Sequence, residues 1–215
     1  MHRIFLRCKI CDLVFVPEQF HVTEEVEKQR YLQHNNQIDD PEYRSFLQRM
    51  WYQLKPRLKP GSTGLDFGSG PGPALSAMIK ENGFNILTYD KFFQPDRSVL
   101  KTQYEFITST ETVEHLSNPR QIFDLFHRIL KPSGWIGLMT SMLDNWSEFP
   151  DWHYHRDPTH VSFYSKSSMQ WVANQFGWHA IFPVTNVVLF RNNNIQNSEP
   201  NKIVNRVLNL SLIHI

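Results

Sequence analysis

"LDFGSGPGP", Leu65–Pro73, is the stretch that decides the fold. Leu65 and Phe67 alternate as a short strand. Glycines follow at 68, 70 and 72, and Pro73 opens "PALSAMIKENG", where Leu75, Met78 and Ile79 share one helical face and Gly83 supplies the stop. Strand, bare loop, helix is the opening of a parallel α/β unit. In such a sheet ligands bind beyond the carboxyl ends of the strands. Residues without Cβ let a ligand lie against the main chain, and the start of the next helix offers unpaired N–H groups.

The same alternation continues outward. Strands are expected in "FNILTYD", "YEFITST" and "WIGLMTS", and helices in "NPRQIFDLFHRILKPSG" and "SKSSMQWVANQFG". Asn118 caps the first of these helices and Pro119 stands just inside it. "WHAIFPV" and "NVVLFRN" read as a closing antiparallel pair. The fold class is therefore α/β: a doubly wound, mostly parallel sheet with an antiparallel final hairpin. Before it, "RIFLRCKICDLVFVP" reads as short strands, Thr23 caps one helix, and Asp40–Pro41 opens another. These form a small N-terminal β/helical extension. The expected boundaries are 1–60 for that extension, with the helices from Thr23 to Pro60 as a lid, 61–191 for the main domain and 192–215 for a tail. In the tail, "NNNIQNSEPNK" reads as linker and "IVNRVLNLSLIHI" as a short helix or loose end.

The loop's chemistry narrows the ligand. A dinucleotide fingerprint needs a glycine where Pro73 stands, and a phosphate-binding P-loop needs a Gly-Lys-Ser/Thr ending. Asp66 instead gives D-x-G-x-G-x-G. A carboxylate there repels pyrophosphate and suits a cation. Asp90 ends the next strand, where an acid accepts the ribose hydroxyls of a nucleoside. S-adenosylmethionine, an adenosine with an amine and a positive sulfur, satisfies both. The expected cofactor contacts are Asp66, Gly68, Ser69, Gly70, Gly72, Asp90, Phe92, Thr110 and Glu111, with Phe92 and Phe93 flanking the adenine.

The sequence resembles the class I, Rossmann-like S-adenosylmethionine-dependent methyltransferases over about Gly64 to Val188. "LDFGSGPGP" is similar to their first motif, Asp90 to their ribose-binding acid, "FITSTETVEHLSNP" to their fourth-strand segment, and "LKPSGWIGLMTS" to their turn and fifth strand. That resemblance implies the fold, the cofactor and a seven-stranded sheet. Only a short piece, "SVLK", is available for the third strand. "CKICDLVFVPEQF" resembles the second half of a zinc-ribbon module found ahead of some members. Cys8 and Cys11 are then half of a four-cysteine zinc set, with His2 and His21 as substitutes, or the relic of a ribbon that folds without metal.

Candidate groups for the chemistry follow the strand over 104–110 and fill the loop "DWHYHRDPTHVSFYS". They are Glu114, His115, His155 and His160, any of which can also be an ordinary structural hydrogen-bonding group. His153 and Asp157 lie in the same loop. Trp152, Tyr154, Phe163 and Tyr164 could wall an acceptor pocket or belong to a core. A metal site in the histidine-rich loop is considered but no metal is assigned, since nothing in the spacing fixes a coordination geometry. A formal net charge of +1 argues against a general nucleic-acid binder. No apolar run approaches the ~20 residues of a membrane span, and no signal peptide is read at the N-terminus. The expectation is a cytoplasmic methyltransferase, monomer or homodimer, acting on oxygen or carbon of a small-molecule acceptor. A nucleic-acid-modifying enzyme and a non-catalytic cofactor-binding protein are the alternatives.

Overall fold

The computed structural model describes residues 3–33, 37–193 and 210–213. Local capping signals set most helix starts. Asp40 accepts from the N–H groups of Glu42 and Tyr43 at the head of α2 (Pro41–Leu54), and Asn118 accepts from Gln121 at the head of α4 (Pro119–Ile129). Thr23 caps α1 (Glu24–Leu32). Ser165 and Ser168 form a reciprocal capping box on α5 (Lys166–Phe176), which ends on Gly177 in the left-handed region.

The main sheet has six strands in the order β4-β3-β5-β6-β9-β8. Here β3 is Thr63–Phe67, β4 Asn85–Tyr89, β5 Tyr104–Thr110, β6 Leu130–Met139, β8 Trp178–Val184 and β9 Val187–Asn192. The first four are parallel; β9 and β8 close the sheet antiparallel. One face packs on α4 and α5 through Phe123, Phe126, Ile129, Met169 and Phe176. The other packs on α2 and α3 (Ala74–Glu81) through Leu47, Met50, Trp51, Leu54, Leu75 and Ile79. This is the Rossmann-like architecture expected.

Three expectations need correction. "SVLK" is no strand: Arg97–Lys101 form a 3-10 turn. Asp90 and Gln94 already fold back on each other through paired backbone bonds of 3.0 and 3.1 Å, and too little chain remains for a strand. The sheet therefore has six strands and not seven. Residues 210–213, expected in a helix or tail, form β10 (Leu210–Ile213) against β1 (Phe5–Cys8), and the remaining tail lies outside the described residues. The lid is split. α2 is core, with four of its side chains buried, whereas α1 buries none.

A second, small sheet runs β10-β1-β2-β7, with β2 at Val14–Phe15 and β7 at Ser162–Phe163. It carries a third core built from Phe5, Val14, Trp146, Phe149 and Phe163. Much of the aromatic loop is thus interior packing. Phe163 and Tyr164 are fully buried, and His155 stacks on Phe149.

Candidate active site

The glycine loop leaves β3 and hangs from the end of β4: Gly68 and Ser69 donate N–H bonds to the Tyr89 carbonyl at 2.8 and 3.3 Å. Gly68 and Gly70 have φ of +77° and +63°. Their reasons for being glycine differ. A Cβ on Gly68 would sit 2.3 Å from the Thr112 side chain, whose hydroxyl bonds the Gly68 carbonyl. A Cβ on Gly70 would meet nothing within 4 Å.

A stability difference follows. Gly68→Ala combines a left-handed backbone with a clash, together about 2–5 kcal/mol. Gly70→Ala incurs only the backbone part, about 1–2 kcal/mol. The melting temperature should fall several degrees further for Gly68→Ala, and equal falls in the two variants would refute the steric reading.

Asp90 closes the loop from the opposite side. Its Oδ2 accepts from the Gly70 N–H at 3.0 Å, and its Oδ1 from Phe92 and Phe93 at 2.8 and 3.1 Å. Three amides therefore fix the carboxylate, which is 9% exposed, at the mouth of the loop.

Asp66 lies buried beneath the loop. It is 3% exposed, and its oxygens accept from the Thr108 and Ser76 hydroxyls at 2.8 and 3.0 Å. It ties β3 to β5 and α3 beneath the loop. Burial raises its pKa from 3.8 to about 6 despite those two bonds. The stability linked to this group is fully present below about pH 4 and is lost as pH rises through about 6. Asp66→Asn should flatten that fall in stability between pH 4 and 7, by an amount on the order of 3 kcal/mol. Denaturation at pH 4.5 and 7.5 checks it; an unchanged slope would contradict it.

Beyond β5 the chain takes a strained turn, with Glu111 at φ +46°. A 3-10 turn over Val113–His115 then presents Glu114 and His115. The aromatic loop is zipped to this turn by several bonds, among them Val161 N–H to the Glu114 carbonyl at 2.8 Å, His115 Nδ1 to the Thr159 carbonyl at 3.1 Å and the Tyr164 hydroxyl to the Val113 carbonyl at 3.2 Å. His160 Nδ1 is likewise held by the Tyr154 carbonyl at 2.7 Å. The His115 and His160 rings meet edge to face, 4.7 Å between centroids. Arg3 steadies the loop by donating to the carbonyls of His155, Asp157 and His160.

Glu114 has no exposed surface. Thr140 donates to its Oε2 at 2.9 Å and the Tyr154 hydroxyl donates to its Oε1. Tyr154 also reaches Glu111 at 3.3 Å. Burial raises Glu114 to about 7. Desolvation and the Glu114 charge also raise Glu111, which stands at the rim. Burial lowers His160, against the pull of Asp157. Acids pushed up and a base pushed down at one cleft mark these residues as candidate site groups.

Glu114, His115 and His160 are therefore brought together, with Glu111 and Thr110 on the same turn. His155 is not: its Nε2 bonds the Pro150 carbonyl at 3.1 Å and its ring lies in the third core. His153 is exposed. Asp157 caps Thr159 and pairs with Arg30 of α1 at 2.9 Å. Two residues that the sequence reading passed over reach the cleft. Tyr31 of α1 lies edge-on to His115 at 5.0 Å and beside Phe92 at 6.0 Å. Tyr43 of α2 feels the charges of Asp66 and Glu111, which add to burial in raising it to about 12. Only their helical phase hinted at them.

An adenosyl cofactor fits this loop. The space over Gly70 is open, and the buried Ser69 hydroxyl has no hydrogen-bond partner among the described residues. An orphaned buried hydroxyl in a bare loop is what a bound polar ligand would satisfy.

Fold and loop together define a Rossmann-like nucleoside-binding enzyme. Residues 32–181 match the methyltransferase-domain family, and the chain belongs to it. It is an S-adenosylmethionine-dependent methyltransferase. Its structure is similar to that of an S-adenosylmethionine-dependent methyltransferase from Archaeoglobus fulgidus, at 18% identity and a TM-score of 0.51, covering 72% of this chain and 74% of that one. It is also similar to phosphoethanolamine N-methyltransferase 2 from Haemonchus contortus in complex with S-adenosyl-L-methionine, at 16% identity and a TM-score of 0.50. That match covers 71% of this chain and 41% of the other. No curated protein matches the sequence. No helix among the described residues is long and apolar enough to cross a membrane.

Proposed function

We propose that the chain methylates an oxygen or carbon of a small-molecule acceptor held over Glu114, His115 and His160. The observation that carries this reading is the zipping of the two loops, which sets one carboxylate and two imidazoles beside the glycine loop. The cofactor supplies an electrophilic methyl on sulfur. The protein's part is to hold the adenosyl group on Gly68–Gly72 and Asp90, with Ser69 donating, and to align the acceptor. Phe92 flanks the adenine in this reading, and Tyr31 closes the space between it and His115.

For a hydroxyl acceptor, the His/Glu cluster would take up the hydroxyl proton, and the cofactor, held on the glycine loop and Asp90, would supply the methyl group. Asp66 acts from below, as the anchor that fixes the loop's strand. α1 serves as the lid, tied down by Arg30–Asp157 and by Lys91–Glu27 at 2.7 Å. The Cys8–Cys11 hairpin is read as a ribbon relic that folds without metal. Burial, together with the Cys8 hydrogen bond, pushes the Cys11 thiol up to about 12. His21 is engaged elsewhere, by the Val16 carbonyl at 2.8 Å, and His2 lies outside the described residues.

The test is transfer of labelled methyl from S-adenosylmethionine to a panel of hydroxylated metabolites, sugars and nucleic acids. Label on a small hydroxylated compound is the expected result. Label on nucleic acid alone would replace the acceptor assignment, and cofactor binding with no transfer would favour a non-catalytic role.

A further inference from the structure

We propose that Glu114, His115 and His160 form a binding site for a first-row divalent cation such as Mn2+ or Zn2+. One ligand atom from each residue can be chosen so that all three lie within 4.8 Å of one another. That separation suits three donors around a single ion after small side-chain adjustments. The trio is not the one the histidine-rich loop suggested by its spacing, since His153 and His155 point elsewhere.

Three features give the cluster the character of a site. First, each imidazole is oriented from behind. Nδ1 of His115 donates to the Thr159 carbonyl and Nδ1 of His160 to the Tyr154 carbonyl, at 3.1 and 2.7 Å. A carbonyl only accepts, so Nδ1 carries the proton and Nε2 keeps the lone pair. This is the outer-shell pattern of metal-bound histidine. Second, the carboxylate is oriented too, by the Thr140 and Tyr154 hydroxyls, and its charge is fully buried. Among the described residues its ion-pair partner is the His115 ring, with Nε2 to Oε1 at 4.0 Å. A buried carboxylate that lacks a permanent cation gains most from a bound one. Third, Glu111 stands at the rim, joined to Glu114 through Tyr154, and places a second carboxyl group on the side open to solvent.

Two imidazoles and one carboxylate select a borderline transition ion over Ca2+ or Mg2+, which prefer all-oxygen shells. Three protein ligands leave positions for the acceptor, which suits a substrate presenting one or two oxygens; with the ion bound, lowering the pKa of the coordinated hydroxyl replaces proton uptake by the cluster. That role rests on the methyltransferase reading; binding of the ion does not.

The test is titration calorimetry of metal-stripped full-length protein with Mn2+ alone and Zn2+ alone, in parallel with S-adenosylhomocysteine. The wild type should bind one equivalent. Glu114→Gln and His160→Asn should each weaken ion binding at least about 100-fold while leaving S-adenosylhomocysteine binding within about threefold, which shows that they are folded. Cys8→Ser/Cys11→Ser should bind the ion as the wild type does. Should either ligand variant fail to fold, Co2+ loaded into the wild type decides. Visible d–d bands without a thiolate charge-transfer band support the assignment to two histidines and one glutamate, and a thiolate band places the ion at the cysteines and overturns it. No ion binding by the wild type, or binding unchanged in both ligand variants, also overturns it. Failure of S-adenosylhomocysteine to bind the wild type counts against the methyltransferase reading and leaves the ion result standing.

Discussion

Asp90→Ala weakens binding of S-adenosylhomocysteine by at least about 100-fold in titration calorimetry. The expectation follows from what the carboxylate does in the structure. It is aimed at the mouth of the loop by three backbone N–H groups, from Gly70, Phe92 and Phe93. A pair of ribose hydroxyls donating to a charged acceptor contributes about 1.5–3 kcal/mol each. Losing both gives roughly 3–6 kcal/mol, or about 100-fold to 10⁴-fold in affinity. Removing the acceptor also frees Gly70, so the cradle loses preorganisation along with its ribose contact. Asp90→Asn separates the two effects. It keeps an acceptor for part of the amide set, loses the charge, and should fall between wild type and alanine. A change of threefold or less in the alanine variant would remove Asp90 from the cofactor site.

The second large effect is expected on turnover. Glu114→Gln should lower kcat by about 10²-fold to 10⁴-fold, the range for a positioned proton-handling group. Affinity for the cofactor should stay within about threefold of wild type. The side chain is buried, accepts from Thr140 and Tyr154, and lies in the same small cluster as the two histidine rings. It makes no hydrogen bond to the glycine loop among the described residues. A purely structural Glu114 would lower stability and cofactor affinity together, with kcat per folded molecule intact. That pattern would contradict its placement at the acceptor end.

The legible parts of this fold were those written in local chemistry. Asp40–Pro41 and Asn118–Pro119 announce helix starts because a short polar side chain and a missing N–H act within one turn. The closing hairpin was legible because "WHAIFPV" and "NVVLFRN" sit next to each other in sequence as well as in space. Residues 210–213 were not legible, since their partner is β1 at the opposite end of the chain. "SVLK" has strand composition, but Asp90 caps a turn two residues on, and Arg97–Lys101 then coil into a 3-10 turn before Tyr104.

The site divides the same way. Glycine spacing and the acid at the next strand's end marked the cofactor loop. The burial of Asp66 was not legible, because a buried acid and an exposed one look alike in sequence; its partners Thr108 and Ser76 lie 42 and 10 residues away. His155 and His160 were equivalent on paper. Phe149 and Phe5 claim the first ring, whereas the bond to the Tyr154 carbonyl turns the second toward Glu114. Tyr31 enters through a helix pinned by Arg30 to Asp157, a contact spanning 127 residues.

A crystal structure with S-adenosylhomocysteine tests the central claim most directly. The account predicts the adenosyl group lying on the main chain of Gly68–Gly72, with both ribose hydroxyls at hydrogen-bond distance from Asp90 and the sulfur turned toward Glu111 and His115. A ligand seated away from that loop, or an Asp90 carboxylate still saturated by its own backbone with the ribose elsewhere, would contradict it.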